Sequence, residues 1–408
     1  MKFDTDIAIV GGGLNGPALG LALAQIGLRV TIIDRLEGDV RKDAGFDGRS
    51  YAMALTSTRL LDGIGVWGDV AENAQPMLEI KVTDGRAGEG PSPFFMHFDH
   101  AEIEEGPMGH MVEDRHLRRA LTDATQTTEN ITLLNGETVI AQNVDASGVT
   151  LTLASGKTVR AKLLVGADGR GSGTAMRAGI KRIGWGYGQT ALVCAISHEK
   201  PHGGVAHQFF MPPGPLAILP LTDNRSSIVW SETTENAARI NALPDDAYLD
   251  VLRPRFGDFL GEISLAGARY TYPLSLSLAH SMVADRVALL GDAAHGVHPI
   301  AGQGLNAGMR DVAALAEVIA DALRRGQDVG SATVLDQYQI WRRFDNTALA
   351  LATDSFNRLF SNDNSLLRIA RDVGMAAINA LPGARRGFIR EAAGLTGELP
   401  RLMRGKPL

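Results

Sequence analysis

An α/β fold with two interleaved parts is predicted by three features of the sequence. Apolar strands alternate with helical patterns over about the first third of the chain, and this alternation returns near Arg286. Glycine-rich turns between a strand and a helix occur at residues 11–16 and 302–308. The stretch from Thr190 to Tyr272 instead carries short apolar runs bounded by Pro and Gly, which is typical of antiparallel sheet.

The first glycine turn has the complete spacing of a dinucleotide-binding βαβ unit. GGGLNG at residues 11–16 gives GxGxxG between an apolar strand and a helical pattern, and Asp34 closes the next strand about 20 residues later. In such a unit Gly11 makes the tight turn, Gly13 lets a pyrophosphate reach backbone N–H groups, and Gly16 allows helix and strand to pack closely. Asp34 is expected to bind an adenosine ribose hydroxyl. The fingerprint alone does not separate FAD from NAD.

The second glycine turn follows Gly291-Asp292 and opens a long apolar helix. Each Gly costs about 1 kcal/mol relative to Ala inside a helix. Gly302, Gly304 and Gly308 are therefore expected where the backbone approaches another group closely. Together, the two turns favour a cofactor cradle over ordinary strand-to-helix connections.

Further segments resemble the single-component flavoprotein aromatic hydroxylases. Residues 163–172 (LLVGADGRGS) are similar to the DG segment of these enzymes, and residues 286–295 (RVALLGDAAH) to their GD segment. Residues 298–311 (HPIAGQGLNAGMRD) resemble the signature of the ubiquinone-biosynthesis hydroxylases within this group. The resemblance extends to residues 47–55, where the family has an arginine near the flavin, and to residues 353–363.

Two positions depart from the pattern of this family. Relatives often carry an arginine three residues after the serine of the DG segment, Ser172, whereas this chain has Ala175 there and Arg177 two residues later. Asp114 stands where relatives tend to have a neutral amide or an arginine on the flavin side. The sequence leaves the roles of these positions open.

The resemblance implies a Rossmann-like FAD-binding domain of the para-hydroxybenzoate hydroxylase type, interleaved with an antiparallel-sheet substrate domain and followed by C-terminal helices. It implies hydroxylation of the aromatic ring of a polyprenylated phenol or quinone precursor through a C4a-hydroperoxyflavin. O2 would be the co-substrate, and NADH, NADPH or an external reductase the electron donor. Two alternatives stay open: an FAD-dependent polyprenyl reductase, and a non-catalytic FAD-binding subunit of the ubiquinone-biosynthesis complex.

The same resemblance implies a set of FAD-binding residues. The N-terminus of the helix after Gly302 would face the N1/C2 edge of the isoalloxazine ring, where its positive end stabilises an anionic reduced flavin. Asp292 would hold the ribityl or pyrophosphate portion, and Arg49 would contact the phosphates or neutralise the flavin. No catalytic side chain is assigned, because the oxygen chemistry belongs to the cofactor. The predicted FAD-binding residues are Gly11, Gly13, Leu14, Gly16, Asp34, Arg35, Arg49, Asp168, Asp292, Gly302, Gly304, Leu305 and Asn306.

His295 and His298 follow Asp292 at three-residue intervals. This spacing is compatible with a metal site, but the sequence offers no third soft ligand, and no metal is predicted. We predict that both rings hydrogen-bond carbonyl groups of the loop, with lining of the ring-binding pocket as the alternative.

The order of the segments predicts an interleaved domain organisation. The FAD-binding domain is predicted at 1–72, 101–180 and 275–340, the substrate-binding sheet domain at 73–100 and 181–274, and a C-terminal helical segment at 341–408.

The composition describes a well-packed chain with 45% hydrophobic residues and a net charge of −6. This acidic balance, without a basic patch interleaved with aromatics, argues against nucleic-acid binding. The single cysteine, Cys194, excludes an internal disulfide and lies in an apolar run that predicts a buried strand. No apolar run reaches the roughly 18 residues of a membrane span, and no signal peptide precedes the first strand, so a cytoplasmic location is expected.

The last part of the chain is basic. Residues 341–408 contain eleven Lys and Arg against six Asp and Glu, mixed with apolar side chains. A basic amphipathic segment can lie on an anionic membrane surface, which would place the protein at the inner face of the membrane. The alternative is a solvated closing face of a helical domain. The resemblance also implies association with a ubiquinone-biosynthesis complex.

Overall fold

The computed structural model of the chain describes residues 2–38, 45, 48–88, 90–298, 302–360 and 374–408. Asp47 and residues 299–301 and 361–363, which carry part of the family resemblance, lie outside the described residues. The strands, in chain order, are β1 (Ile7–Val10), β2 (Val30–Asp34), β3 (Ser50–Ala54), β4 (Ala74–Met77), β5 (Glu79–Arg86), β6 (Gly90–Asp99), β7 (Gly109–Glu113), β8 (Ile131–Asn135), β9 (Val139–Val144), β10 (Val149–Leu153), β11 (Thr158–Ala161), β12 (Leu163–Gly166), β13 (Arg182–His198), β14 (Val205–Met211), β15 (Gly214–Leu221), β16 (Arg225–Thr233), β17 (Ile263–Leu265), β18 (Tyr270–Ala279), β19 (Val283–Ala284), β20 (Val287–Leu289) and β21 (His295–Gly296).

The α-helices are α1 (Asn15–Gln25), α2 (Leu55–Gly63), α3 (Gly68–Ala71), α4 (Asp114–Thr127), α5 (Gly173–Arg177), α6 (Thr234–Asn241), α7 (Asp245–Phe256), α8 (Gln303–Arg324), α9 (Ala332–Phe360) and α10 (Pro382–Ala392). Short 3₁₀ turns lie at His100–Glu102, Gly291–Ala293 and Leu402–Arg404.

One six-stranded sheet has the order β19-β20-β12-β1-β2-β8. The strands from β20 to β8 are all parallel, and β19 pairs antiparallel at the edge. Its central strands β1, β12 and β20 are almost entirely buried, as expected for a parallel sheet covered by helices. Helices α1 and α8 pack against each other over this core, to which both contribute.

The large mixed sheet has the order β21-β18-β13-β16-β15-β14-β5-β6, with β17 pairing to β13. One face packs against α6 and α7, where Cys194 and Trp230 meet Tyr248 and Leu252. The prediction that Cys194 lies in a buried strand is confirmed, because its side chain is fully buried in β13. Burial raises the pKa of this thiol to about 11. Smaller antiparallel sheets consist of β11-β10-β9 and β3-β7-β4.

The domain boundaries stay a prediction, and two of them fall inside a β-strand or an α-helix. Strand β18 crosses the boundary at 274/275, and helix α9 crosses that at 340/341. A division before Ala332 would leave α9 whole.

The basic C-terminal segment folds back onto the body of the protein. Ile389 in α10 is fully buried against β6, and Leu402 and Met403 are buried near α2. Arg401 pairs with Glu317 of α8 at 3.1 Å. Residues 374–408 of this segment are therefore packed onto the rest of the fold.

Candidate active site

Four predicted features meet at one edge of the parallel sheet: the first glycine turn, Asp34, the DG segment and the GD segment. Because β1, β2, β12 and β20 run in the same direction, their carboxyl ends lie side by side, which is where open α/β sheets bind ligands. The turns are joined by backbone hydrogen bonds from Gly11 N to Ile33 O (2.9 Å), from Ala167 N to Val10 O (2.7 Å) and from Leu290 N to Gly166 O (3.0 Å). This edge brings together the predicted residues Gly11, Asp34, Asp168 and Asp292.

The glycines of the first turn lie in two different environments: two are packed against backbone and one faces open space. Gly11 has φ +113°, and a Cβ there would collide with the carbonyl oxygen of Ala167. A Cβ on Gly16 would collide with the carbonyl oxygen of Gly11. Gly13 is different: it is exposed, and a Cβ would have no atom within 4 Å. Packing alone thus explains Gly11 and Gly16, whereas Gly13 borders open space, and its contact with a pyrophosphate stays a prediction.

Helix α1 begins beside this space without a side-chain cap. Leu14 is its N-cap and makes no side-chain hydrogen bond to the first turn. The positive end of α1 is therefore available to an anion.

Asp34 is held against the glycine turn by backbone groups. Its carboxylate accepts hydrogen bonds from Gly12 N at 2.5 Å and from Leu36 N at 2.7 Å. The neighbouring Arg35 is exposed. The carboxylate is thus fixed beside the turn in the place from which βαβ units bind a ribose.

The second glycine turn forms the start of α8. Gly302 is its N-cap with φ +64°, a conformation that favours glycine, and no side chain caps the helix. A Cβ on Gly304 would have no atom within 4 Å. The first turn of α8, which includes Leu305, thus offers its backbone N–H groups to a bound group.

The side chain of Asn306 has a structural role that the sequence did not reveal. Its Oδ1 accepts hydrogen bonds from Ala54 N (2.9 Å) and Ser57 Oγ (2.8 Å), while its Nδ2 donates to Ala52 O (2.8 Å). The side chain of Asn306 therefore ties α8 to β3 and α2, and the contact of its backbone N–H with a cofactor stays a prediction.

The group that the backbone approaches closely at Gly308 is a side chain of the protein itself. A Cβ on Gly308 would collide with the side-chain amide of Asn15 at the start of α1, and so would a Cβ on Gly291. Gly291 and Gly308 are small because Asn15 fills the space between the two glycine turns and the GD segment.

Asp292 is half-exposed at this edge. Its Oδ2 pairs with Arg170 Nε at 3.2 Å, and the two side chains are 46% and 48% exposed. Arg182 holds the backbone here by donating to Ala293 O and, at 3.2 Å, to Asp292 O. The carboxylate is thus positioned by the chain but open to a ligand.

Replacing Asp292 by Ala is expected to weaken FAD retention without unfolding the protein. The carboxylate makes one exposed ion pair, which contributes about 0–1 kcal/mol to stability, whereas a hydrogen bond from a bound hydroxyl would be lost. Flavin content after gel filtration and the thermal midpoint of the apoprotein measure the two effects separately. Equal flavin retention in variant and parent would move the ribityl contact to another residue.

Asp168 braces the DG turn. It accepts hydrogen bonds from Ser172 Oγ (2.5 Å) and from Thr174 N and Oγ1 (both 3.0 Å). Its contact with a cofactor stays a prediction. Ala175, which stands where relatives often have an arginine, is buried and donates its N–H to Ser172 Oγ at 2.9 Å. The nearby Arg177 donates a hydrogen bond from Nε to the side chain of Gln142 at 3.3 Å.

Asp114 is the second position that differs from the family pattern, and two arginines balance its negative charge. The buried carboxylate accepts two hydrogen bonds from Arg118, at 2.8 and 2.9 Å, and lies 3.3 Å from Arg49 Nη2. It also accepts the Tyr51 hydroxyl at 2.8 Å. Burial and the negative charge of Asp114 both raise the pKa of Tyr51 above its ordinary value. Arg49 is therefore held in place by Asp114, and its contact with a phosphate stays a prediction.

The structure shows a buried polar centre around Asp311, which sequence reasoning missed. Asp311 Oδ2 accepts hydrogen bonds from Gly291 N (3.0 Å) and His295 Nε2 (2.5 Å). Asp311 Oδ1 accepts from Arg342 Nε (2.8 Å) and Asn346 Nδ2 (3.3 Å). Burial alone would raise the pKa of Asp311, but the nearby His295 and Arg342 outweigh burial and lower it to about 2. Asp311 thus fixes the GD segment, α8 and α9 relative to one another.

The predicted contacts of the two histidines with loop carbonyls are wrong. His295 bonds to the carboxylate of Asp311, and neither ring nitrogen of the fully buried His298 has a partner among the described residues. Within the described part of the chain, no group of three or more His, Cys, Asp or Glu side chains is arranged to hold a metal ion.

Comparison with known proteins identifies the family. The FAD binding domain family matches residues 4–350. The chain is 46% identical to the ubiquinone hydroxylase UbiL of Rhodospirillum rubrum, over 99% of this chain and 93% of the relative. It is 35% identical to the 3-demethoxyubiquinol 3-hydroxylase of Escherichia coli, over 96% of this chain and 99% of the relative. The chain belongs to the FAD-dependent monooxygenases of ubiquinone biosynthesis.

The fold of this monooxygenase is also that of solved aromatic hydroxylases. The crystal structure of p-nitrophenol 4-monooxygenase PnpA from Pseudomonas putida DLL-E4 superimposes with a TM-score of 0.80, at 19% identity, covering 98% of this chain and all of the other. The predicted α/β fold with a Rossmann-like FAD domain is thereby confirmed.

The residues at the sheet edge fit FAD. The open space at Gly13 and Gly304 admits a group that touches the backbone, and the two uncapped helix N-termini would favour anionic portions of such a cofactor. The enzyme is an FAD-dependent monooxygenase, with NAD(P)H and O2 as the typical co-substrates of its class.

Proposed function

We propose that this enzyme hydroxylates the aromatic ring of a polyprenylated phenol intermediate in ubiquinone biosynthesis. The observation that carries the proposal is the 46% identity to a ubiquinone hydroxylase over nearly the full length of both chains. The relative from Escherichia coli, a 3-demethoxyubiquinol 3-hydroxylase, supports the same pathway. Both relatives are hydroxylases, which favours hydroxylation over reduction of polyprenyl double bonds.

The residues of the chain have binding and positioning tasks in this reaction. When bound, FAD supplies the oxygen-transfer chemistry after reduction by NAD(P)H. The uncapped N-terminus of α8 provides a positive end for the charge that a reduced flavin carries. The Asp311 centre keeps the start of α8 in register with the GD segment, so that both touch one cofactor.

A groove of mixed polarity supports a prenylated substrate. It has a volume of about 160 Å³, opens between β18 and α9, and is lined by the apolar Ile183, Leu278 and Met282 as well as by polar side chains that include Gln339 and Arg343. Its apolar part suits one end of a prenyl chain, and we propose that it accepts this part of the substrate.

The proposed function is tested by ring-dependent turnover of the purified holoenzyme. We expect that a prenylated phenol accelerates NAD(P)H-dependent flavin reduction and O2 consumption, and that mass spectrometry shows one added oxygen in the ring product. A non-catalytic subunit would retain FAD without this acceleration, and a polyprenyl reductase would add hydrogen to the prenyl chain without consuming O2. If the native donor is a reductase chain, chemically reduced holoenzyme exposed to O2 still hydroxylates the phenol.

We propose that the outer face of α10 contacts an anionic membrane surface. None of the helices in the described residues is long and apolar enough to cross a membrane. The outer face of α10 carries exposed Arg386 and Arg390, one helical turn apart, and Leu381, the N-cap of the helix, is 59% exposed. Exposed cations and an exposed apolar side chain in the same segment favour contact with anionic lipid headgroups.

Charge reversal tests this contact better than truncation, because removal of residues 384–408 would also remove the buried Ile389, Leu402 and Met403. We expect that Arg386→Glu/Arg390→Glu lowers the binding constant for vesicles of anionic lipid, measured by sedimentation, by about 30-fold, since each of the two basic residues near such a surface contributes about 1 kcal/mol. Arg239→Glu/Arg253→Glu, on α6 and α7, is the control and should leave sedimentation unchanged. Equal binding of all forms would leave the solvated closing face as the explanation.

We also propose that the enzyme associates with other proteins of ubiquinone biosynthesis. Ile340, Phe344 and Leu351 of α9 are 74%, 78% and 62% exposed and lie at helical spacing. Such an exposed apolar stripe supports a protein contact.

A further inference from the structure

His298 is a fully buried imidazole with no hydrogen-bond partner for either ring nitrogen among the described residues. Buried polar groups are nearly always hydrogen-bonded, and one that is not destabilises the folded state. The mechanism described so far does not use this side chain. We therefore expect a bound ligand to supply the hydrogen-bond partner of this imidazole.

The position of His298 lies between the flavin cradle and the large sheet. It follows the GD segment by three residues and stands four residues before Gly302, the N-cap of α8. On the other side, strand β13 shifts register against β18 between Gly186 and Thr190. Tyr187, in this irregular stretch, packs edge-on against the imidazole, with ring centroids 5.2 Å apart and planes at 71°.

The surroundings of this ring pair are apolar. Val297, next to His298, forms a cluster with Leu276 and Ala350, against which Tyr187 packs. Burial lowers the pKa of His298 to about 4, so its ring is neutral at pH 7 and offers one acceptor and one donor nitrogen. An apolar wall, an aromatic edge and a neutral acceptor complement a flat ring that carries a hydroxyl group.

We propose that His298 receives the hydroxyl group of the phenolic substrate and takes its proton during hydroxylation. This inference rests on the proposed function. The O–H bond of the phenol breaks as an N–H bond forms on the imidazole, and the reverse transfer restores both groups. The phenolate and imidazolium that result carry no net charge together, so the pair is tolerated in an apolar site where either ion alone is not. A phenolate ring is richer in electrons at the carbons that receive oxygen.

The test uses FAD-loaded enzyme and a phenol with one isoprene unit in the ortho position. His298→Phe keeps a flat ring without nitrogen, and His298→Gln keeps polar atoms without a proton acceptor of comparable basicity. We expect the Phe variant to bind the phenol about 10- to 100-fold more weakly, because a buried hydroxyl group loses its partner. We expect the Gln variant to bind within a few-fold of the parent but to hydroxylate about 10²- to 10⁴-fold more slowly, the usual loss of a general base.

Two further measurements separate this role from a structural one. The rate of hydroxylation by the Gln variant is expected to rise with pH as the phenol ionises in solution, whereas the parent should not need this ionisation. FAD content and thermal midpoint are expected to stay unchanged. His207→Gln is the control, because His207 is a largely buried histidine that packs against Phe209 and Phe259, away from the cradle.

The outcomes are distinguishable. Parent-like binding and turnover in both His298 variants would overturn the inference and leave the proposed function standing. Loss of FAD or of thermal stability in both variants would show a structural role and also overturn it. A parent enzyme that neither binds nor hydroxylates any prenylated phenol would instead overturn the proposed function.

Discussion

Gly13→Val is expected to yield a folded protein that does not retain FAD. A Cβ on Gly13 has no atom of the chain within 4 Å, so the added side chain costs the apoprotein little. It would occupy the space where the pyrophosphate approaches the start of α1. Hydrogen bonds to a charged group contribute about 1.5–3 kcal/mol each, so losing two of them weakens FAD binding at least about 100-fold. Flavin fluorescence measures the dissociation constant for FAD, and circular dichroism of the apoprotein shows whether the fold is retained.

Two glycine variants serve as controls for this result. Gly68→Val also adds a side chain in open space, at the start of α3 and outside the cradle, and should retain FAD as the parent does. Gly16→Val should fail for a different reason, because its Cβ would collide with the carbonyl oxygen of Gly11 and the fold itself would suffer. Stoichiometric FAD in Gly13→Val would refute the assignment of the first glycine turn as the pyrophosphate site.

Asp311→Ala is expected to lower the free energy of unfolding by about 3–5 kcal/mol, the range for removing one partner of a buried ion pair. The guanidinium of Arg342, whose side chain is 2% exposed, would lose its bond to Asp311. His295 Nε2 and the N–H of Gly291 would also lose their partner. Chemical denaturation of the apoprotein measures the loss, and a more mobile GD segment should appear as faster hydrogen exchange at Gly291.

Asp321→Ala is the matched control on the same helix. Asp321 pairs with Arg324 at 3.1 Å and also with Arg401, but its side chain is 31% exposed. An ion pair that is accessible to water contributes about 0–1 kcal/mol, so losing two of them should lower the free energy of unfolding by less than about 2 kcal/mol. Comparable losses in the two variants would mean that the Asp311 centre does not hold the fold together.

The parallel sheet and the first glycine turn could be predicted from the sequence because their constraints are local. The spacing of Gly11, Gly13 and Gly16 between two apolar strands fixes a turn that only a few backbone conformations satisfy. The convergence of Asp34, Asp168 and Asp292 follows from the same logic, since parallel strands end at one edge.

The contacts that join distant segments could not be predicted in this way. Asn15 meets Gly291 and Gly308 only after α1 and α8 have packed together, and no spacing in the sequence records that contact. The clearest available signal was Asp311, a charged residue in the apolar helical pattern of α8. A charge in such a position predicts a buried partner, but only the fold identifies that partner as Arg342.

The surroundings of His295 and His298 could not be predicted either, because they too depend on contacts between distant segments. The regular spacing of His295 and His298 after Asp292 predicts similar environments, yet one ring bonds to a carboxylate and the other has no partner among the described residues. The difference arises from α8, which brings Asp311 to one ring, and from β13, which brings Tyr187 to the other.

Complementation tests the central claim, ring hydroxylation in ubiquinone biosynthesis, most directly. The chain would be expressed in bacterial strains that each lack one ubiquinone-ring hydroxylase, and the accumulated quinone intermediates would be identified by mass spectrometry. Restored ubiquinone in one or more strains is the predicted result, and it would name the ring positions that the enzyme attacks. Failure in every strain, from soluble protein that carries FAD, would contradict the claim and favour a reductase or a non-catalytic subunit.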